Sequence, residues 1–157
     1  MGAEEPAMAI PDWNEFGVLP EGIHDCAIDE IGHRFGFNDH RLALICGLQQ
    51  AIEWLGTMPP IESLIVDGSF VTDKERPSDI DAVAMINNLT ERNQREWVRA
   101  WQPQHQHLKA AFRVDLYPTV VGAGNNFAAY FQYLRPEEAL NRGAPLGLLK
   151  GILRIPT

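Results

Sequence analysis

Cysteine is scarce in this sequence, with Cys26 and Cys46 the only two among 157 residues. Neither belongs to a CxxC pair or to a repeated Cys/His spacing, so the sequence supports neither a zinc site nor a disulfide framework. Cys46 lies in the apolar stretch RLALICGLQQAIEWL, where we expect a buried free thiol. His105 and His107 have no cysteine or third histidine close in sequence, so we expect a polar helix or loop there rather than metal ligands.

Long hydrophobic runs are also missing. No apolar run approaches the roughly 20 residues that a membrane-spanning helix needs. The N-terminal sequence MGAEEPAMAIPDW lacks the basic start and apolar centre of a secretory signal. Pro6 stands where a myristoylation site has Ser or Thr. We therefore expect a cytoplasmic protein with no membrane partner.

Positive charge is in short supply, because 13 Lys and Arg face 21 Asp and Glu and the formal net charge is -8. A broad nucleic-acid surface normally carries a basic footprint, so this balance argues against DNA as a partner. It leaves open a nucleotide that is held through metal ions, because carboxylates are then useful ligands.

The residues that are present predict one domain over 1–157, with residues 1–12 loosely ordered. Helices and strands alternate in the pattern, which indicates the α/β or α+β class: a small twisted mixed sheet with helices packed on it. The predicted helices are residues 25–34, a helix capped by Asn38 or Asp39 and ended by Gly56, Thr90 to Trp101 with Pro103 interrupting it, and 127–134. The predicted strands are 61–66, 79–86, AFRVDLYP and LLKGILRI, and Phe112, Val114 and Leu116 lie on one face of the third. Asn125 and Asn126 are predicted to mark a turn. Trp97 and Trp101 are predicted to belong to the core.

The stretch IVDGSFVTDKERPSDIDAVAM, from Ile65 to Met85, carries the chemistry. Asp79 and Asp81 are separated by one strand residue and point the same way, and two ionised carboxylates so close repel unless a cation lies between them. Mg²⁺ typically binds one or two carboxylates together with phosphate oxygens. Gly68 lets the backbone approach a phosphate, and Ser69 with the amides of a following helix would supply donors. Asp67 either faces the same cleft or caps that helix.

These residues resemble the signature of the DNA polymerase beta-type nucleotidyltransferase superfamily, in which Gly-Ser follows an apolar strand and Asp-x-Asp comes after a spacer. Together with LPEGIH and KGILRI, they look like a small bacterial group of stand-alone nucleotidyltransferase-like proteins, and the resemblance covers most of the chain. The superfamily has a third acidic residue on a later strand, and Asp115 matches that position. Many members continue Gly-Ser with a small residue, Arg and Gly; here Phe70 to Lys74 follow, so Lys74 or Arg76 would have to replace that cation.

The resemblance implies a two-metal nucleotidyl transfer. Asp79 and Asp81 would hold two Mg²⁺ ions, for which Mn²⁺ could substitute, and Asp115 would bind the catalytic ion and help to deprotonate the acceptor. Gly68, Ser69 and Lys74 would bind the nucleoside triphosphate, with ATP the expected donor of AMP. The acceptor would be a hydroxyl of a partner protein or RNA, in a toxin–antitoxin or defence context. Two alternatives remain: an inactive, antitoxin-like binding module, and a transferase acting on a small molecule.

Overall fold

The computed structural model describes residues 10–87, 90–121 and 131–157. Five strands and four helices alternate along these residues, as the sequence predicts for the α+β class. The strands are β1 (Ile23–Asp25), β2 (Ser63–Asp67), β3 (Ile80–Ile86), β4 (Val114–Val120) and β5 (Ile152–Pro156). The helices are α1 (Ile28–Phe35), α2 (Asp39–Leu55), α3 (Glu91–Phe112) and α4 (Pro136–Arg142), and a single 3-10 turn covers Ser69–Val71.

The strands form one mixed sheet in the order β1-β5-β2-β3-β4. β2 pairs antiparallel with both of its neighbours, β3 and β5, whereas the outer pairs β1–β5 and β3–β4 are parallel. The last strand in sequence therefore lies inside the sheet. This arrangement places the C-terminal end of β2 beside the N-terminal end of β5.

The two faces of the sheet have different environments. Leu64 and Val66 of β2 belong to the main hydrophobic core, which also contains buried residues of α1, α2 and α3. On the opposite face, Ile65 packs with Val83 and Ile152 in a smaller apolar cluster. Because side chains alternate along a strand, every second residue of β2, β3 and β4 projects toward this second face.

Helix α2 confirms its predicted ends. The side chain of Asn38 accepts a hydrogen bond from the Arg41 amide, and the Gly56 amide donates to Ile52 O at 3.1 Å. Thr90 likewise caps α3, because its side-chain oxygen accepts from the Asn93 amide. The thiol prediction is wrong: Cys46 is exposed on α2, and the buried cysteine is Cys26.

Other predicted boundaries need correction. Helix α3 runs through Pro103 to Phe112, so Phe112 belongs to the helix and not to the strand that follows. Arg113 ends the helix in a left-handed conformation, with φ of 56°. Asp25, predicted as helical, belongs to β1 instead. Of the predicted helix 127–134, residues 127–130 lie outside the described residues, as do 1–9, Asn125 and Asn126, and Tyr133 forms an isolated β-bridge with Leu149.

Arg41 is the largest fully buried side chain of the described residues. Its guanidinium donates hydrogen bonds to four backbone carbonyls: those of Phe35 at 3.2 Å, Phe70 at 2.8 Å, Thr72 at 2.7 Å and Lys74 at 2.6 and 3.0 Å. Three of these carbonyls belong to the chain that follows Ser69. Arg41 therefore fixes the conformation of the segment between β2 and β3.

Across the described parts of the chain, no helix combines the length and apolar character needed to cross a bilayer.

Candidate active site

Three aspartates stand side by side on the second face of the sheet. Asp67 of β2 is directly opposite Asp81 of β3, and Asp81 is in register with Asp115 of β4. We call Asp67, Asp81 and Asp115 the aspartate row. Asp79 precedes β3, and ligand oxygens of Asp79, Asp81 and Asp115 all lie within 4.8 Å of one another. The structure thus brings together the three carboxylates that the sequence nominates, and adds Asp67.

The Asp81 carboxyl group has a raised pKa. Burial, together with the negative charges of Asp79, Asp67 and Asp115, raises this pKa from 3.8 to about 6, although the charge of Lys150 acts in the opposite direction. A carboxylate surrounded in this way is costly to ionise without a cation. The site therefore favours either a proton on Asp81 or a positive ligand beside it.

The turn after β2 leaves no room for a side chain at Gly68. Its φ is 86°, and a Cβ atom there would come within 2.4 Å of Asp81 Oδ2. Ser69 begins only a three-residue 3-10 turn, so the longer helix expected after Gly-Ser is not formed. Asp67 does not cap this turn, because Gly68 occupies the cap position without a side-chain hydrogen bond.

Helix α3 places two basic groups against Asp115. Lys109 Nζ lies 3.6 Å from Asp115 Oδ2, and His105 Nε2 lies 3.7 Å from Oδ1. Nδ1 of His105 is 2.9 Å from Leu116 O, which orients the ring because a carbonyl can only accept a hydrogen bond. On the other side, the charge of Asp115 and a hydrogen bond to it raise the pKa of Tyr117. His105 therefore lies on a helix, as predicted, and contacts the candidate site.

The aspartate row forms part of one wall of a cleft of about 960 Å³. The cleft also contains Gly68, Ser69, Lys74 and Asp79, so every site residue predicted from the sequence lines it. Lys74 is exposed and tied through its carbonyl to Arg41. Several other lining residues were not predicted as site residues: Tyr117, Tyr133, Arg135 and Lys150. Two of them had a sequence clue: strand alternation in AFRVDLYP puts Tyr117 on the face of Asp115, and KGILRI contains Lys150.

Residues 11–156 match the sequence family described as "Family of unknown function (DUF6932)". The chain belongs to this family. The matched residues include all five strands and every residue that lines the cleft, so the cleft is part of the DUF6932 domain. No curated protein and no solved structure is significantly similar to this DUF6932 chain.

Replacing Asp81 with Asn is expected to stabilise the metal-free DUF6932 protein at neutral pH. Because the folded pKa is raised from 3.8 to about 6, the folded state binds the proton more tightly than the unfolded chain. The contribution of Asp81 to wild-type stability is therefore greatest below about pH 4 and is lost as the pH rises through 6. Asp81→Asn removes this loss, a gain of about 1–2 kcal/mol at pH 7.5 after allowing for partial solvent screening.

Urea unfolding in EDTA at pH 4 and pH 7.5 measures this effect. The variant and the wild type should differ at pH 7.5 and converge at pH 4. Asp12→Asn is the matched control, because the Asp12 side chain is fully exposed and its 3.8 Å ion pair with Arg34 is screened by solvent, so loss of its charge should change stability little at either pH. The prediction would be contradicted if the free energy of unfolding changed between pH 4 and pH 7.5 by the same amount in the wild type and in Asp81→Asn.

Proposed function

We propose that this protein is a cytoplasmic, Mg²⁺-dependent nucleotidyltransferase, which transfers AMP from ATP to a hydroxyl group of a partner protein or RNA. The observation that carries the proposal is the meeting of Asp79, Asp81 and Asp115 within 4.8 Å. They lie in the same cleft as the Gly68–Ser69 turn, where the backbone can approach a phosphate. The choice of ATP and of the acceptor class rests on the resemblance to the polymerase beta-type superfamily.

The three aspartates fit a divalent metal ion. They offer the oxygen ligands that Mg²⁺ and Mn²⁺ prefer, and the raised pKa of Asp81 reflects its burial and the negative charge of the neighbouring aspartates. Asp115 Oδ1 is buried and has no hydrogen-bond partner among the described residues. Asp79, Asp81 and Asp115 would hold the ions, which would offset the charge of the triphosphate and lower the pKa of the acceptor hydroxyl.

The protein's own groups have separate tasks in the transfer. Gly68 gives the phosphates close access to the backbone, and the Ser69 hydroxyl donates to a phosphate oxygen. Asp115 Oδ1 accepts the proton of the acceptor hydroxyl while the oxygen of that hydroxyl forms a bond to the α-phosphorus. The bond from that phosphorus to pyrophosphate breaks at the same time. Lys109 holds Asp115 in place from α3, and the ring of His105 packs beside it.

ATP binding is expected to require a divalent ion. Five carboxylates line the cleft, those of Glu138 and the four aspartates, and their negative charge repels a triphosphate unless counter-ions bind with it. Calorimetric titration with ATP should give saturable binding in Mg²⁺ or Mn²⁺, and binding at least about tenfold weaker in EDTA at the same ionic strength. Asp79→Asn with Asp81→Asn should abolish the difference between the two conditions. Equal wild-type affinity with and without the ion would refute the proposed site.

A further inference from the structure

Lys150 occupies the end of the aspartate row opposite to Lys109. Its Nζ atom lies 3.0 Å from Asp67 Oδ1, and only 11% of the Lys150 side chain and 12% of the Asp67 side chain are exposed. Both residues line the cleft, and the charge of Lys150 lowers the pKa of Asp81. Its ammonium group therefore acts on the candidate catalytic residues, although it is far from them in sequence.

The backbone around Lys150 is fixed by the LPEGIH segment. The Lys150 amide donates to Gln132 O at 2.8 Å, and the Gly151 amide donates to Leu19 O at 2.8 Å. A Cβ atom at Gly151 would lie 2.1 Å from Pro20 O, so only glycine permits this close approach. LPEGIH and KGILRI are thus adjacent in space, and together they place a lysine at the rim of β5.

The location of Lys150 matches that of the phosphate-binding turn. β2 and β5 are antiparallel neighbours, so the Gly68–Ser69 turn after β2 and Lys150 before β5 lie at the same end of these two strands. Asp115 is two strands away from Asp67, a distance of about 10 Å at the usual strand spacing. If Asp115 takes the acceptor's proton, the leaving group of an in-line displacement departs toward the other end of the row.

The geometry points to Lys150 as the residue that binds the β- and γ-phosphates of the nucleoside triphosphate, with Asp67 holding its ammonium group at the cleft wall. This inference rests on the proposed function and deepens it. An ammonium group has three donors, so Lys150 can bond to Asp67 and still donate to phosphate oxygens. It supplies a positive charge that the chain between Ser69 and β3 brings to the cleft only through the exposed Lys74, because Arg76 does not line the cleft.

The test uses a charge-balanced variant. Lys150→Met alone would leave Asp67 buried without its partner and could unfold the protein. Asp67→Asn combined with Lys150→Met removes both charges and keeps the shapes similar. Titrations with ATP, AMP and inorganic triphosphate in excess Mg²⁺ then separate binding of the phosphate tail from binding of the nucleoside, and thermal unfolding verifies the fold. Arg92→Met, on the exposed side of α3, is the control for loss of one positive charge.

The double variant should bind ATP and inorganic triphosphate about 10- to 100-fold more weakly than wild type, with its affinity for AMP unchanged. Asp67→Asn alone should retain most of the ATP affinity, because Lys150 remains. If the double variant binds ATP and inorganic triphosphate as tightly as wild type does, the Lys150–Asp67 pair is purely structural. This result would overturn the inference but not the proposed function. The inference also fails if Lys74→Met loses the affinity and the double variant keeps it. A wild type that binds neither triphosphate in Mg²⁺ would overturn the proposed function as well.

Discussion

Asp115→Asn should transfer AMP at least about 10²-fold more slowly than wild type while binding ATP with nearly the same affinity. Asp115 lies on β4, one strand away from Asp81 and two strands away from the Gly68–Ser69 turn. Under the proposed function, this position makes Asp115 act on the acceptor rather than on the phosphate tail. Asn has almost the same shape as Asp but cannot take up the proton of the acceptor hydroxyl.

Two measurements on the same preparation test this expectation: ATP affinity by calorimetry, and transfer of label from ATP to an acceptor found in a cell lysate. Asp81→Asn is the informative comparison, because it should reduce both quantities. Transfer by Asp115→Asn at the wild-type rate would remove Asp115 from the mechanism. If the wild type transfers label to no acceptor but binds a protein partner tightly, the binding-module alternative is favoured.

Arg41→Met should destabilise the protein by about 3–5 kcal/mol. The substitution keeps a long side chain but removes the donors to the carbonyls of Phe35, Phe70, Thr72 and Lys74. Burial lowers the pKa of Arg41 to about 10, so the guanidinium is still charged at neutral pH. Each buried carbonyl left without a partner costs about 1–3 kcal/mol, and repacking recovers part of the total.

Urea unfolding provides the free energy for Arg41→Met, with Arg92→Met on α3 as a control expected within about 0.5 kcal/mol of wild type. Because Arg41 fixes the segment after Ser69, a folded Arg41→Met protein should also bind ATP more weakly. If Arg41→Met lowers the free energy of unfolding by less than about 1 kcal/mol, the backbone carbonyls that Arg41 binds must find other hydrogen-bond donors.

Local signals correctly predicted both ends of α2 and the start of α3. Asn38, Thr90 and Gly56 act within a few residues of the backbone groups that they satisfy, so their effect can be predicted without the tertiary structure. Pro103 illustrates the limit of this reasoning. Its ring removes one hydrogen bond from α3, but Pro103 is exposed, and the helix is held by contacts such as the 2.9 Å hydrogen bond from Trp101 Nε1 to Leu116 O.

The candidate site divides in the same way. Asp79 and Asp81 were predicted from strand alternation, and Asp115 from the resemblance; the register of β3 and β4 brings them together. Lys150 could not be assigned, because its approach to Asp67 requires β5 to enter the sheet beside β2. Sequence also left two possibilities for Asp67, and only the pairing with Asp81 places it on the cleft wall. Contacts between distant segments depend on topology, which the local pattern does not contain.

Because β5 lies between β1 and β2, the sheet can be completed during synthesis only after β5 has been made. β2 is buried along its whole length, but one of its edges stays unpaired until residues 152–156 have left the ribosome. Such an edge can pair with other chains while it is open. All four aspartates of the cleft are therefore translated well before Lys150, and the end of the cleft nearest to β5 forms after the rest of the cleft.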